Sequence, residues 1–482
     1  MLCVFCVYTS LIFVISWVTS RRADDAVFYL GNRQSPWYVV AYGMIGASLS
    51  GVTFLSEPGQ VRDTQFSYMM VVFGYMVGYA VIAKVLLPLY YRLNLTSIYT
   101  YLDQRFGSRT HRTGASFFIL SRGVGASLRM FLTAYILHLF VFQYWGISFG
   151  VVAFIFIALI LLYTFKGGIK TIVWTDTLQT TFMMASVVVS IFLIGKEMNW
   201  GVAEIFHRMK ESELSTMMVT DWTDRRFFLK QFLSGIFITI VMTGLDQDMM
   251  QKNLSCRNLR DAQKNMFTFG GILLPINLMF LTLGAVLVMY AQANNIAVAE
   301  TDRLFAEIVV NRMGAFAGIV FVIGLVSSAY SSADGTLTAM TTSFCIDILG
   351  TDRYNLSEKK RIRLRYAIHF LFAALLFWLI LMWKQVNGEA IINQVFTLAG
   401  YTYGPLLGLY AFGLCTRIKV RDKAVPFIAV ASPVISWLLD RYSEQWFLGY
   451  KFGFELLIVN GLITFAGLWA FRRKKPEQIR VS

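Results

Sequence analysis

Residues 324–334 read GLVSSAYSSAD, inside an apolar run over about 314–345 that is long enough to cross a bilayer. On a helix Ser327 and Ser331 fall four apart, as do Ser328 and Ser332, and the two columns adjoin, so four hydroxyls share one face. Serine hydroxyls in a membrane helix bond back to their own carbonyls, pair with a neighbouring helix, or coordinate a hard cation through oxygen. Helix packing is the ordinary role of a lone membrane serine. Four hydroxyls on one face, followed by Asp334, favour the ion.

Working outward, the 482 residues are 56% hydrophobic and only 15% charged, with a mean hydropathy of +0.58. About thirteen runs are long enough to span: 2–18, 37–55, 67–91, 115–142, 147–165, 169–194, 229–246, 266–291, 314–345, 366–383, 390–414, 425–440 and 453–471. The expectation is an all-α integral membrane protein: a leading helix and loop (1–36), a ten-helix core (37–414), and two trailing helices with a short tail (415–482). The net charge of +15 calls for no nucleic acid, because basic loops on one side account for it. One set of alternate loops holds 28 of the 43 cations, among them Arg21, Arg22, Arg33, Lys166, Lys252, Arg353 and the five beyond Phe471. That asymmetry puts the N-terminus outside and the C-terminus in the cytoplasm. The expected location is the plasma membrane, a bacterial inner membrane. The five cysteines show neither metal-type spacing nor a disulfide framework.

Two runs carry weak points. The stretch 43–59, GMIGASLSGVTFLSEPG, puts Gly43, Gly46 and Gly51 at mid-membrane, and Thr243–Gly244 does the same just before Asp246. Unwound backbone at that depth frees carbonyls that must bond to something. Counting the run at 37 as the first core helix, the breaks fall in core helices 1 and 6, as an inverted repeat of five helices would have them. Close packing through small residues is the alternative. The stretch after Asp246 is expected as a polar helix at the inner surface, with Asp246 either its cap or an ion contact. A short surface helix is expected around Leu304, Ile308 and Val309.

Charges at depth single out Asp176, which costs about 2.5–3.5 kcal/mol unless paired or bound to a cation. Arg122 and Lys84 are near enough to the cytoplasmic side to snorkel. Arg129, halfway along its run, either pairs with a protein acid or meets an anionic substrate. His138 and His207 are lone histidines without metal-ligand spacing.

At these residues the chain resembles the sodium:solute symporter family. The segments GGIKTIVWTDTLQ (167–179) and TGLDQDMMQKNLSCRNLRDAQKN (243–265) are similar to its two signatures. ASLSGVTFLSEPG (47–59), TSIYTYLDQRFG (96–107) and SSADGTLTAMTTSFCIDIL (331–349) also match, in order, over nearly the whole chain. The resemblance implies a leucine-transporter-type fold with a five-plus-five inverted repeat and broken core helices 1 and 6. It implies a sodium site of carbonyls from Gly46, Leu49 and Gly324 and hydroxyls from Ser327 and Ser328. Asp176, Ser327 and Ser331 match a second sodium set of some members, with Tyr330 where a further serine is expected. Ser48, Ser50 and Thr53 with Arg129 are similar to the hydroxyls and carboxylate-binding arginine of sialic acid symporters, which implies a hydroxylated organic acid. Thr239 and Met242, and Ser48 in place of an acid, argue against galactose and proline.

The expected activity is sodium-coupled symport by alternating access, with Na+ as the coupling ion and a monomer or weak homo-oligomer as the state. A neutral sugar or amino acid is the alternative substrate. A transporter-like sensor is the rival class, although only a short tail follows the last run. Proton coupling through Asp176 is the mechanistic alternative. No enzyme is expected, since no nucleophile–base pair or metal cluster stands out.

Overall fold

The computed structural model describes residues 2–19, 25–165, 168–297, 300–351, 357–384 and 391–473. Arg21, Arg22, Lys166, Arg353, Lys474, Lys475 and Arg480 of the loop-charge count, and Gly167 of the first motif, lie outside the described residues. Among the described residues the regular structure is helical, with isolated bridges such as Ser35 to Cys256 and no strand.

The helices follow the apolar runs. They are α1 (Leu2–Thr19), the bent pair α2 (Trp37–Ser48) and α3 (Gly51–Thr64), α4 (Tyr68–Arg92), α5 (Ser108–Trp145), α6 (Phe149–Thr164) and α7 (Gly168–Glu197). A second bent pair follows, α8 (Phe228–Gly244) and α9 (Gln247–Leu254), then α10 (Leu259–Ala293), α11 (Gly314–Ile348) and α12 (Glu358–Trp383). The last three are α13 (Ile391–Cys415), α14 (Val425–Arg441) and α15 (Leu456–Ala470). Among the described residues six helices are long and apolar enough to cross a membrane unbroken, and the two pairs cross together with bends of 59° and 65°. The bends fall at the weak points read in the sequence.

Glycines set how closely these helices approach. On α4, Gly74 and Gly78 lie one turn apart and face Gly235 and Thr239 of α8. A Cβ on Gly78 would stand 2.7 Å from the Thr239 Cβ, and one on Gly235 would strike the Val71 carbonyl. Small residues spaced four apart let two backbones touch, the packing that holds helices together where lipid removes the hydrophobic drive.

Three expectations change. The helix after Asp246 is formed, but all of α9 is buried, with each of its eight residues at most 3% exposed. Most of its polar groups have partners inside the protein, Gln251 Oε1 being an exception. Gln247 bonds the Ile98 N–H and the Thr96 carbonyl, and Asn253 accepts from Asn265 at 2.7 Å. The short helix Leu304–Asn311 also forms, yet Ile308 and Val309 are fully buried and Phe305 packs 5.1 Å from Phe54, so it is seated on the protein. Arg122 does not snorkel: it is 4% exposed and paired with acids, while Lys84 is exposed.

Gly235→Leu should wedge α4 from α8. Overpacking of this kind costs about 1–3 kcal/mol, so the variant should melt several degrees below the parent in detergent.

Candidate functional site

The break between α2 and α3 is built by residues too small to resist it. Leu49 leaves the helix at φ −88°, ψ 84°, and Ser50 is extended before α3 restarts. A Cβ on Gly46 would collide with the Thr180 hydroxyl and stand 2.8 Å from the Ser331 hydroxyl, and the Gly46 N–H donates to Thr180 Oγ1 at 3.0 Å. Gly51 is pressed against Thr133, and a Cβ there would lie 3.7 Å from Ser328 Oγ. The broken helix therefore lies directly on the serine face of α11 and on α7.

That face is buried. Ser327, Ser328 and Ser331 are fully buried and Ser332 is 3% exposed. Ser327 donates to the Ile323 carbonyl at 2.6 Å and Ser328 to that of Leu325 at 2.8 Å. Each hydroxyl so oriented keeps its oxygen lone pairs free to accept or to face a cation. Gly324, one residue short of a turn before Ser327, packs against Ser186 of α7 and Phe54 of α3.

Beneath the break runs a row of buried charges. Lys252 on α9 places its ammonium 2.8 Å from Asp176 Oδ2 and 3.5 Å from Asp248 Oδ1. Ser331 donates to Asp176 Oδ1 at 2.8 Å. Arg122 on α5 bonds Asp248 and lies 3.5 Å from Asp246. Asp246 accepts from the Tyr403 hydroxyl at 2.7 Å and caps α9 by accepting from the Met249 N–H. The cap role considered for Asp246 in the sequence is thus formed, and the same carboxylate is also the ion partner of an arginine. Asp176 is paired, and its partner is Lys252, counted above among the cytoplasmic loop cations but 1% exposed inside the protein. Asp334 accepts from the Tyr163 hydroxyl at 2.9 Å.

Above the break lies a cavity of about 90 Å³ lined by Ser48, Ser50, Thr53, Arg129, Asn277 and Tyr79, among others. The four residues expected to meet substrate line this one cavity. Of the residues expected to hold sodium, Gly46 lies against Ser331, Ser328 lies near Gly51, and Gly324 packs on Phe54 of α3, so α2–α3 and α11 are in contact there. Arg129 makes no ion pair or side-chain hydrogen bond among the described residues, unlike Arg122 two turns earlier on the same face. It is an uncommitted guanidinium, suited to a planar anion such as carboxylate.

Sequence reasoning missed Lys252, Asp248 and the aromatic side chains Tyr68 and Phe396. The last two line both this cavity and a larger vestibule bordered by Gln60, Thr64, Arg225 and Asp440, and their rings stack at 6.4 Å. Asp248 and Lys252 are four apart on a polar stretch, a spacing that marks a shared helical face but not whether that face is wet.

Breaking a buried pair leaves an uncompensated charge and costs about 3–5 kcal/mol. Lys252→Met should lose stability on that scale, and adding Asp176→Asn should restore most of it. A double-mutant cycle on thermal unfolding in detergent checks the coupling.

Comparison with known proteins agrees with this architecture. The chain is 22% identical to a sodium/sialic acid symporter of Aliivibrio fischeri, over 92% of this chain and 88% of that one. It is 23% identical to a sodium/sialic acid symporter of Proteus mirabilis, over 92% and 90%. A solved Na+-coupled sialic acid symporter superposes with a TM-score of 0.85 at 18% identity, covering 97% of this chain and 96% of that one. The family model for the sodium:solute symporter family matches residues 28–417. The chain is a polytopic membrane protein that belongs to the sodium:solute symporter family.

Proposed function

We propose that this protein is a sodium-coupled symporter that imports a small hydroxylated organic acid, a sugar acid such as sialic acid, by alternating access. The observation that carries the reading is the uncommitted Arg129 guanidinium in a cavity whose other wall is the broken helix with Ser48, Ser50 and Thr53. Arg129 takes the carboxylate, and the hydroxyls and Asn277 take the polyol. The relatives named above, two sodium/sialic acid symporters, support that choice of substrate.

Sodium sits between α2–α3 and α11, on the carbonyls of Gly46, Leu49 and Gly324 and the hydroxyls of Ser327 and Ser328. It ties the break to α11, which orders the wall that the substrate meets. The charge row lends its field. Asp176, Asp246 and Asp248 face Lys252 and Arg122, three acids to two cations, and Asp334 on α11 adds a further buried acid beside them, so the row favours a cation close to the serine face. The second set, Asp176 with Ser327 and Ser331, receives an ion only when the Lys252 ammonium moves off Asp176. A single strongly bound sodium is therefore the working stoichiometry. A potential of about 60–100 mV then contributes on the order of 1.4–2.3 kcal/mol per ion.

The finer architecture follows the same reading. Thirteen crossings divide into a leading helix and loop (1–36), a five-plus-five inverted repeat (37–414) and two trailing helices (415–482). The N-terminus is outside and the C-terminus in the cytoplasm of a plasma membrane. The larger vestibule then opens outward.

Uptake of sialic acid into proteoliposomes should stop when sodium is replaced by choline, and uptake unchanged by that replacement would refute the coupling. Arg129→Gln should weaken an anionic substrate by roughly 2–5 kcal/mol, a loss of about thirtyfold or more. Ser327→Ala with Ser328→Ala should raise the sodium concentration for half-maximal uptake several-fold while leaving membrane expression intact.

A further inference from the structure

Glu57 belongs to no interaction described so far. It is 1% exposed on α3, and neither carboxyl oxygen has a hydrogen-bond partner among the described residues. An unpaired carboxylate is among the costliest groups to bury, so the dry position accommodates the neutral acid and not the anion.

Its place on the helix gives this a consequence. Thr53 lines the inner cavity, and Gln60 and Thr64 line the larger vestibule. With Glu57 they make the series 53, 57, 60, 64, one stripe of a helix. Glu57 is thus the member of that stripe between the two spaces. The septum that divides them is aromatic: Tyr68 stacks on Phe396, and Phe396 packs edge-on against Phe454 at 4.9 Å. Tyr68 and Tyr75 bond each other through their hydroxyls at 2.9 Å, and neither bonds Glu57.

Of the other titratable groups on elements packed around α3, Glu307 accepts from Asn311, Tyr403 donates to Asp246 and Tyr401 to Asp440, while Asp302 leaves its Oδ1 without a partner. Asp302 accepts from the Ile391 N–H, and Arg303 pairs with Glu300 at 2.7 Å and bonds the Tyr135 hydroxyl. Arg129 lines the inner cavity. None of them pairs with Glu57.

We propose that Glu57 is a proton-binding site in the wall of the passage between vestibule and cavity. With the septum shut, the carboxyl carries a proton taken from vestibule water. When Tyr68 and Phe396 separate, water reaches the stripe and the carboxylate forms, returning that proton to water. The balance is one proton bound on closing and one released on opening, with no other bond changed. A group that holds its proton more tightly in the closed form stabilises that form at low pH and loses the effect as pH rises. The open-to-closed ratio therefore increases with pH, by up to tenfold per unit above the ordinary carboxyl range. The inference rests on the alternating-access reading above.

The test uses spin labels on the vestibule rim, at Thr223→Cys and Thr397→Cys, in a full-length background with the five native cysteines replaced. Pulsed electron–electron distances in proteoliposomes are recorded from pH 5 to pH 9. The parent should shift toward the longer, open distance as pH rises, Glu57→Asp should keep the shift, and Glu57→Gln should lose it. A parent whose distances ignore pH, or a Glu57→Gln variant that shifts as the parent does, overturns the proposal. Should Glu57→Gln fail to fold, infrared difference spectra of the parent between the same pH limits decide. Loss of a protonated-carboxyl band at high pH supports the site, and its absence at both limits overturns it. Sodium-dependent uptake by the same preparations reports separately on the symporter reading: its absence sinks that reading, whereas uptake with a pH-blind septum sinks only the proton site.

Discussion

The contact on which the rest depends is the ammonium of Lys252 between Asp176 and Asp248. Helix α9 is short and wholly buried; Met249, Met250 and Leu254 join the apolar core, but its acids and lysine need partners to be there. It stays because its charges are met. Lys252 ties it to α7 through Asp176, Arg122 ties it to α5 through Asp248 and Asp246, and Tyr403 reaches it from α13. A 65° bend ahead of α9 is what lets those side chains converge. Removing the bend would leave three buried carboxylates without cations, so break and charges hold each other in place.

The other broken helix answers to a steric condition. Gly46 and Gly51 allow α2 and α3 to lie against Thr180, Ser331 and Thr133, with no room for a side chain. That approach brings the backbone of the break next to the hydroxyls of α11. Ser331 then belongs to both systems, facing Gly46 on one side and bonding Asp176 on the other. A change in the charge row reaches the serine face through a single hydroxyl. The two breaks are thereby mechanically joined, and each lies on one border of the inner cavity.

Much of this is legible in the sequence, because the signals are ones a bilayer enforces. Apolar runs bound the helices, glycine clusters mark the bends, and the four-residue spacing of serines gives the buried face. Arg129 stands out because an arginine at mid-run has few ordinary explanations. What sequence does not carry is the third dimension of a polar stretch. Lys252 and Arg122 read as loop and snorkelling cations since the same residues near a helix end usually are. Nothing local distinguishes them from buried partners; that depends on Asp176 and Asp248, far away in the chain. The aromatic septum is hidden for a similar reason. Tyr68 and Phe396 are unremarkable among 23 tyrosines and 41 phenylalanines until the fold stacks them.

The septum also explains why the polar groups are so unequally distributed. Below it, every buried charge of the row has a partner, so that region is stable dry and gains little from water. Between the two spaces, Tyr68, Phe396 and Phe454 make a barrier of rings with few hydrogen bonds to break, and opening it exposes mainly apolar surface. A barrier made this way strands no ion pair when its rings part, and the apolar surface then exposed favours its closing again. Glu57 stands apart from it, and an acid with neither oxygen partnered changes the balance. Its neutral form matches the closed, dry state and its anion matches the open, wet one. The same barrier would be indifferent to its surroundings with any apolar residue at that position; with a carboxyl it becomes sensitive to the solution it faces.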